Sequence, residues 1–245
     1  MSGCARRIAA VVAVVAATAL STSAARSQGC PAPLADARRL VLVTAATMND
    51  TAATMRLYQR ASAGAPWRAL GAAEPVVIGR AGMGWSRFFA GLARPGEPTK
   101  VEGDKRAPAG IFPIGRSFGT LASSRPDYLQ VTPDTICVHD LASPAYNTIA
   151  SRSRLGPAVR AENMSKMLPM YRRGLLLDYP TDAQNQAGSC IFIHVWRSPA
   201  TGTAGCVALP EPRVEALQDF AAGGAVLAIL PRAALNRLPG CLPQN

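Results

Sequence analysis

Histidine is scarce in this chain: 245 residues carry only two, His139 and His194. Any chemistry that needs an imidazole has to use one of them. Aromatic residues make up 6% of the chain, and few of them lie among its scattered positive residues. That pattern argues against nucleic acid, which draws clustered Lys and Arg and stacks its bases on aromatic rings. Acidic residues are few as well, 15 Asp and Glu against 26 Lys and Arg, for a formal net charge of +11. Such a surface favours polyanions, including cell-wall polymers and anionic lipid. A solvated basic surface without a specific partner is nevertheless the commoner origin of this balance. Beyond residue 20 no apolar run is long enough to cross a bilayer, so no integral span is expected after the first segment. Internal repeats, coiled-coil heptads and long linkers are also missing.

The first residues have the order of a secretory signal. Arg6 and Arg7 form a positive start, Ile8 to Leu20 an apolar stretch, and Ser23-Ala24-Ala25 a small-residue cleavage site. Residues 1–25 are therefore expected to be a signal peptide, with residues 26–245 as the exported chain of the periplasm or cell envelope. That length supports one sizeable core and, by default, one domain.

Of the six cysteines, Cys4 leaves with the signal; Cys30, Cys137, Cys190, Cys206 and Cys241 remain. An odd number in an oxidising compartment implies pairs and one free thiol. Cys30 and Cys241 lie near opposite chain ends, which are often close in space. The scheme that follows is Cys30–Cys241 and Cys137–Cys190 as disulfides with Cys206 free. Sequence leaves other pairings open.

The segment from His194 to Cys206 carries the chemistry. An apolar run, Ile191-Phe192-Ile193, delivers the histidine; a Pro/Gly/Thr loop follows; Cys206 then comes directly after Gly205. Nucleophilic thiol catalysis needs a cysteine and an imidazole to accept its proton. A glycine before the nucleophile permits a tight turn, and the backbone N–H groups of Gly205 and Cys206 become the oxyanion donors. Papain-like enzymes run Cys before His and so fit poorly. His139 is assigned a structural or rim position. The group that orients His194 is not readable, with Ser189 and Asp140 as candidates. Arg197 could grip a substrate carboxylate through its guanidinium fork, and Tyr146, Tyr171 and Trp196 are candidates for the cleft wall. Glu102, Asp104, Lys105 and Arg106 read as a solvated turn. No metal or organic cofactor is needed.

Strands dominate the first half: Leu40-Val41-Leu42-Val43, Thr54 to Gln59, and Pro75 to Gly79, with turns at Ala63 to Pro66 and Gly82 to Gly84. A charged loop from Lys100 feeds a strand at Ile111-Phe112. Helices are expected at Val159–Leu168 and at Glu211–Ala222, the second opened by Glu211-Pro212 and stopped by Gly223-Gly224. Ala225 to Leu230 reads as a last strand. The fold class is mainly β with a few helices.

Several pieces in this order resemble the L,D-transpeptidase (YkuD-like) catalytic family. They are Lys100 to Phe112, Cys137-Val138-His139-Asp140 with Tyr146-Asn147, Glu162-Asn163-Met164, Gly188 to His194, and Thr203-Ala204-Gly205-Cys206-Val207-Ala208-Leu209. The resemblance covers about residues 36 to 232. It implies a β-sandwich with Cys206 at a strand edge beside a cleft, a histidine often oriented by a backbone carbonyl or a small side chain, and peptidoglycan stem peptides as substrate. It further implies a Cys206 thioester on a tetrapeptide stem with loss of D-alanine, resolved by an amine to a 3→3 cross-link or by water in a carboxypeptidase. Three features depart from the family pattern. Ala204 stands where a second histidine is usual, Ala208 replaces a polar residue, and the His194–Cys206 interval is short. Two other readings remain beside it: a sortase-like protein transpeptidase with Arg213 as its arginine, and a non-catalytic peptidoglycan-binding protein. Oligomeric state is unreadable.

Overall fold

The computed structural model describes residue 1, residues 29–182 and residues 184–243. Apart from Met1, the expected signal segment lies outside the described residues up to its end at Ala25, and Cys4 with it. Strands β1 (Arg39–Ala45), β2 (Ala52–Gln59) and β3 (Arg68–Val77) form an antiparallel meander, followed by the short β4 (Met83–Trp85). The long β5 (Ala107–Gly119) and short β6 (Leu129–Gln130) come next. A separate small sheet is built from β7 (Thr135–Val138), β8 (Ile149–Ser151) and, after the single turn α1 (Arg152–Leu155), β9 (Ala161–Asn163). The chain then returns to the main sheet through β10 (Gly174–Leu177), β11 (Phe192–Val195) and β12 (Val207–Leu209). It ends with α2 (Glu211–Ala221) and β13 (Val226–Pro231).

The main sheet runs β10-β11-β12-β3-β2-β1-β13-β5, and β5 pairs back onto β10, so it closes on itself around the larger of two hydrophobic clusters; the smaller holds Phe118, Tyr171, Phe192 and Cys206. This is a mainly β architecture of the β-sandwich kind, with few helices. Side-chain chemistry explains the order. The apolar runs Leu40-Val41-Leu42-Val43 and Val226 to Leu230 are buried on both faces, as central strands require, and they pair in parallel. β2 alternates and has one wet face, which suits its place beside the exposed β3. Each fully buried aliphatic side chain in this core contributes about 1.5–3 kcal/mol of transfer free energy.

Helix α2 takes Pro212 in its first turn, where a missing N–H costs nothing, and buries Val214 and Leu217. Its Gln218 side chain is fully buried and donates to the carbonyls of Phe118 (3.2 Å) and Gly174 (2.9 Å), sewing the helix to the seam between β5 and β10. Cys30 and Cys241 are joined with Cα atoms 5.4 Å apart, Cys137 and Cys190 with Cα atoms 6.0 Å apart, and Cys206 is free and buried. The first of these bridges is backed by the Trp67 indole, whose N–H donates to the Cys241 carbonyl at 2.9 Å.

The helix expected over Val159–Leu168 does not form. Residues 161–163 are strand β9, paired with β7, and residues 164–166 make one 3-10 turn capped by the Asn163 side chain. A segment of this length is a marginal helix by itself. Ile136, Cys137 and Val138 offer a ladder of backbone partners that outweighs its weak helical pattern.

Candidate active site

β11 and β12 lie side by side in parallel, with His194 in register with Ala208 and Ile193 with Val207. Continuing that register one step back sets Cys206 beside Phe192, so the thiol and the imidazole belong to one face of adjacent strands, two positions apart. Both line a cleft of about 460 Å³. Arg80, Lys100, Glu102, Lys105, Glu162 and Tyr171 also face it.

The imidazole is buried (4% exposed) and its Nδ1 lies 2.8 Å from the Val195 carbonyl. A carbonyl only accepts, so Nδ1 carries the hydrogen and Nε2 presents a lone pair. The orienting group is therefore a backbone atom. Ser189 instead donates to Glu102 at 2.8 Å, and Asp140 pairs with Arg160, so neither candidate orients the ring. Burial lowers the imidazole pKa to about 4. The thiol accepts the Phe192 N–H at 3.3 Å and donates toward the Cys190 carbonyl at 3.4 Å. Burial pushes it up to about 12, with the Glu162 carboxylate adding to the rise. Neutral thiol and neutral imidazole are thus the favoured forms of the two groups near neutral pH.

The Gly205 turn is built by Thr203. Its Oγ1 accepts the Gly205 N–H at 3.0 Å and donates to the Cys206 carbonyl at 2.7 Å. The Gly205 N–H, expected together with that of Cys206 as an oxyanion donor, is thus engaged inside the turn. Gly205 has φ +149°, and a Cβ there would stand 3.0 Å from the Arg106 carbonyl oxygen, so the bend needs glycine.

The charged loop is not the solvated turn its composition suggests. Lys100 is buried and donates to Asp104 at 2.6 Å, Asp104 also accepts the backbone N–H of Val101 and of Arg106, and Arg106 reaches the carbonyls of Met48 and Met83. Polar residues fold inward here because each finds a partner. Tyr146 is buried (5% exposed) and its hydroxyl donates to Glu102 at 2.6 Å, so it stands behind the cleft wall and is not among the lining residues. Arg197 is exposed and lines the mouth beside Trp196, as does His139 from the small sheet. Arg213 ion-pairs with Glu74 and is not among the lining residues. Ala204 is exposed and Ala208 is buried opposite His194, so neither supplies a polar group.

A wall of rings supports the pair. Phe118, Tyr171 and Phe192 meet edge to face with centroids 5.3–5.6 Å apart, and Tyr171 packs against His194 at 5.5 Å. The Tyr171 hydroxyl donates to Glu162 at 2.6 Å. Glu162 had no role assigned from sequence, although the Glu-Asn-Met triplet stood out. Residue type gave no hint that β9 would turn it toward the cysteine.

The family model of the L,D-transpeptidase catalytic domain (YkuD) matches residues 47–229. No curated protein and no solved structure gave a significant match.

Proposed function

Because the chain belongs to the L,D-transpeptidase (YkuD) catalytic-domain family, whose members act on peptidoglycan, we propose that it is an exported cysteine acyltransferase of peptidoglycan stem peptides. In this reading the signal peptide is removed after Ala25 and residues 26–245 form one catalytic domain in the periplasm or envelope. The two disulfides fit an oxidising compartment, and no described helix is long and apolar enough to cross a membrane.

One observation carries the reading: a histidine with Nδ1 anchored on Val195 and Nε2 free shares a cleft face with Cys206, the one free thiol among the described residues. As Cys206 Sγ attacks the amide carbonyl of the donor stem, Nε2 takes the thiol proton. The Cys206 N–H receives the oxygen as it gains charge. The C–N bond then breaks, His194 returns its proton to the departing D-alanine amine, and a thioester remains. An amine of a second stem resolves it to a 3→3 cross-link, whereas water gives a tripeptide. The engagement of Arg213 by Glu74 weighs against a sortase-like chemistry that would use that arginine.

Incubating the exported chain and its Cys206→Ala variant with disaccharide-tetrapeptide, followed by mass spectrometry, tests this. Dimers and D-alanine release are expected from the first and a loss of at least about 10³-fold from the second. Equal turnover by the variant would discard the thiol mechanism. Silence from both, with Cys206 unreactive to iodoacetamide in the folded state, would favour a peptidoglycan-binding role.

A further inference from the structure

We propose that Glu162 is the site at which the acceptor amine docks, and the group that takes the first proton the amine must lose. The inference rests on the transpeptidase reading above and names a residue for its second half-reaction.

The charges around the cleft are unequal in their commitments. Glu102 has both contacts on one oxygen, from Tyr146 and Ser189, and serves as a peg between the Lys100 loop and the Ser189 segment. Lys100 is spent on Asp104 and the Val101 carbonyl. Glu162 differs. One carboxylate oxygen accepts the Tyr171 hydroxyl, the other has no hydrogen-bond partner, and no ion pair joins Glu162 to a cation among the described residues. A half-buried carboxylate without an ion pair is costly; burial raises its pKa, and the Tyr171 hydroxyl and nearby His139 offset part of that rise. Glu162 is a receptor for positive charge, and it is more basic than a solvated carboxylate.

Two basic groups share the Glu162 part of the cleft without ion-pairing to it, His139 just past β7 and Arg197 just past β11, while Arg80 and Lys105 lie across the nucleophile strand. In the order β10-β11-β12-β3, the Cys206 strand has β11 on one side; Tyr171 packs on Phe192 and His194 of β11 and donates to Glu162 of β9, which faces the cleft. On the other side of the Cys206 strand lies β3, whose continuation carries Arg80; Arg80 N–H donates to Thr203 in the nucleophile loop, and Lys105 adjoins through Ala81. The two reactants differ in the same way. The donor's leaving D-alanine bears a carboxylate, whereas the acceptor arrives as an ammonium. The cationic side suits the first and the Glu162 side the second.

The small sheet cannot drift from this position. Cys137 is in register with Glu162 on the neighbouring strand and is bonded to Cys190, whose carbonyl contacts the Cys206 thiol. The step balances as follows. The ammonium gives one proton to Glu162, and its nitrogen attacks the thioester carbonyl. The new C–N bond forms as the C–S bond breaks. The second amine proton passes through His194 to the thiolate, and Glu162 later releases its proton to water.

Glu162→Gln and Glu162→Asp, made in the exported chain and given disaccharide-tetrapeptide, test the assignment through the ratio of dimer to tripeptide. For Glu162→Gln the ratio is expected to fall about tenfold or more while D-alanine is still released, with partial recovery in Glu162→Asp. An unchanged ratio in Glu162→Gln overturns the assignment. Should that variant fail to fold, Glu162→Asp is read alone: a ratio below that of the wild type with D-alanine still released supports the assignment, and an unchanged ratio overturns it. A wild-type protein that yields tripeptide alone overturns it while leaving the thioester chemistry standing. One that releases no D-alanine removes the transpeptidase reading itself.

Discussion

Burial gives His194 a working range unlike that of a solvated imidazole. With its pKa lowered to about 4, Nε2 remains a free base well below neutrality. The rate constant kcat/KM for D-alanine release is therefore expected to stay level down to about pH 5 and to fall with a midpoint near 4, where a solvated histidine would fail near 6.5. At the alkaline end the buried thiol, raised to about 12, gives no gain near pH 9. The same shift acts on stability with a definite sign. The unfolded chain binds a proton near 6.5 that the native state refuses until about 4, so stability is lost as pH falls through that window. A pH series of initial rates, with thermal melts over the same range, checks both; an acid limb centred at 6.5 would contradict the buried base. At this scale sequence supplied residue types and no more. Cys206 and His194 could be singled out because only two histidines exist and one thiol is left over. The Val195 carbonyl could not, since every residue carries a carbonyl, and the capture of the Gly205 N–H depends on a Thr203 rotamer that no spacing announces.

Secondary elements were legible in proportion to how much they bury. The runs in β1 and β13, and the Glu-Pro start and Gly-Gly stop of α2, read directly because core burial and helix ends leave strong patterns. The short strands β7, β8 and β9 left none. Each has four residues or fewer and is held by pairing and by the Cys137–Cys190 bridge, which is how a ten-residue stretch around Glu162 was mistaken for helix. The charged loop misled for another reason: Arg106 and Glu102 reach partners far away in sequence, at Met48 and Met83 and at Tyr146 and Ser189, and these draw the locally paired Lys100 and Asp104 inward with them. The attachment of α2 to the sheet makes a prediction at this scale. Gln218→Leu keeps the volume but strips the carbonyls of Phe118 and Gly174 of their donor, and a loss of about 1–3 kcal/mol is expected in urea unfolding. A shift below the error of the melt would mean water replaces the amide. Because Gly174 is in register with His194, activity should drop faster than stability alone explains.

Over the whole molecule, the closed sheet brings Cys30 and Cys241 together, beside the place where Arg60 lies over Trp67 at 4.3 Å and the indole reaches Cys241. The Cys30–Cys241 bridge spans 211 residues. Between those two cysteines the polypeptide is covalently a ring. A protease that cuts it once, for instance at the exposed hairpin tip of residues 61–64, makes a new beginning and a new end but no fragments. The nicked protein should run as one species on a non-reducing gel and as two after reduction. Protease-rich surroundings could then open the chain at a tip without dispersing its active site.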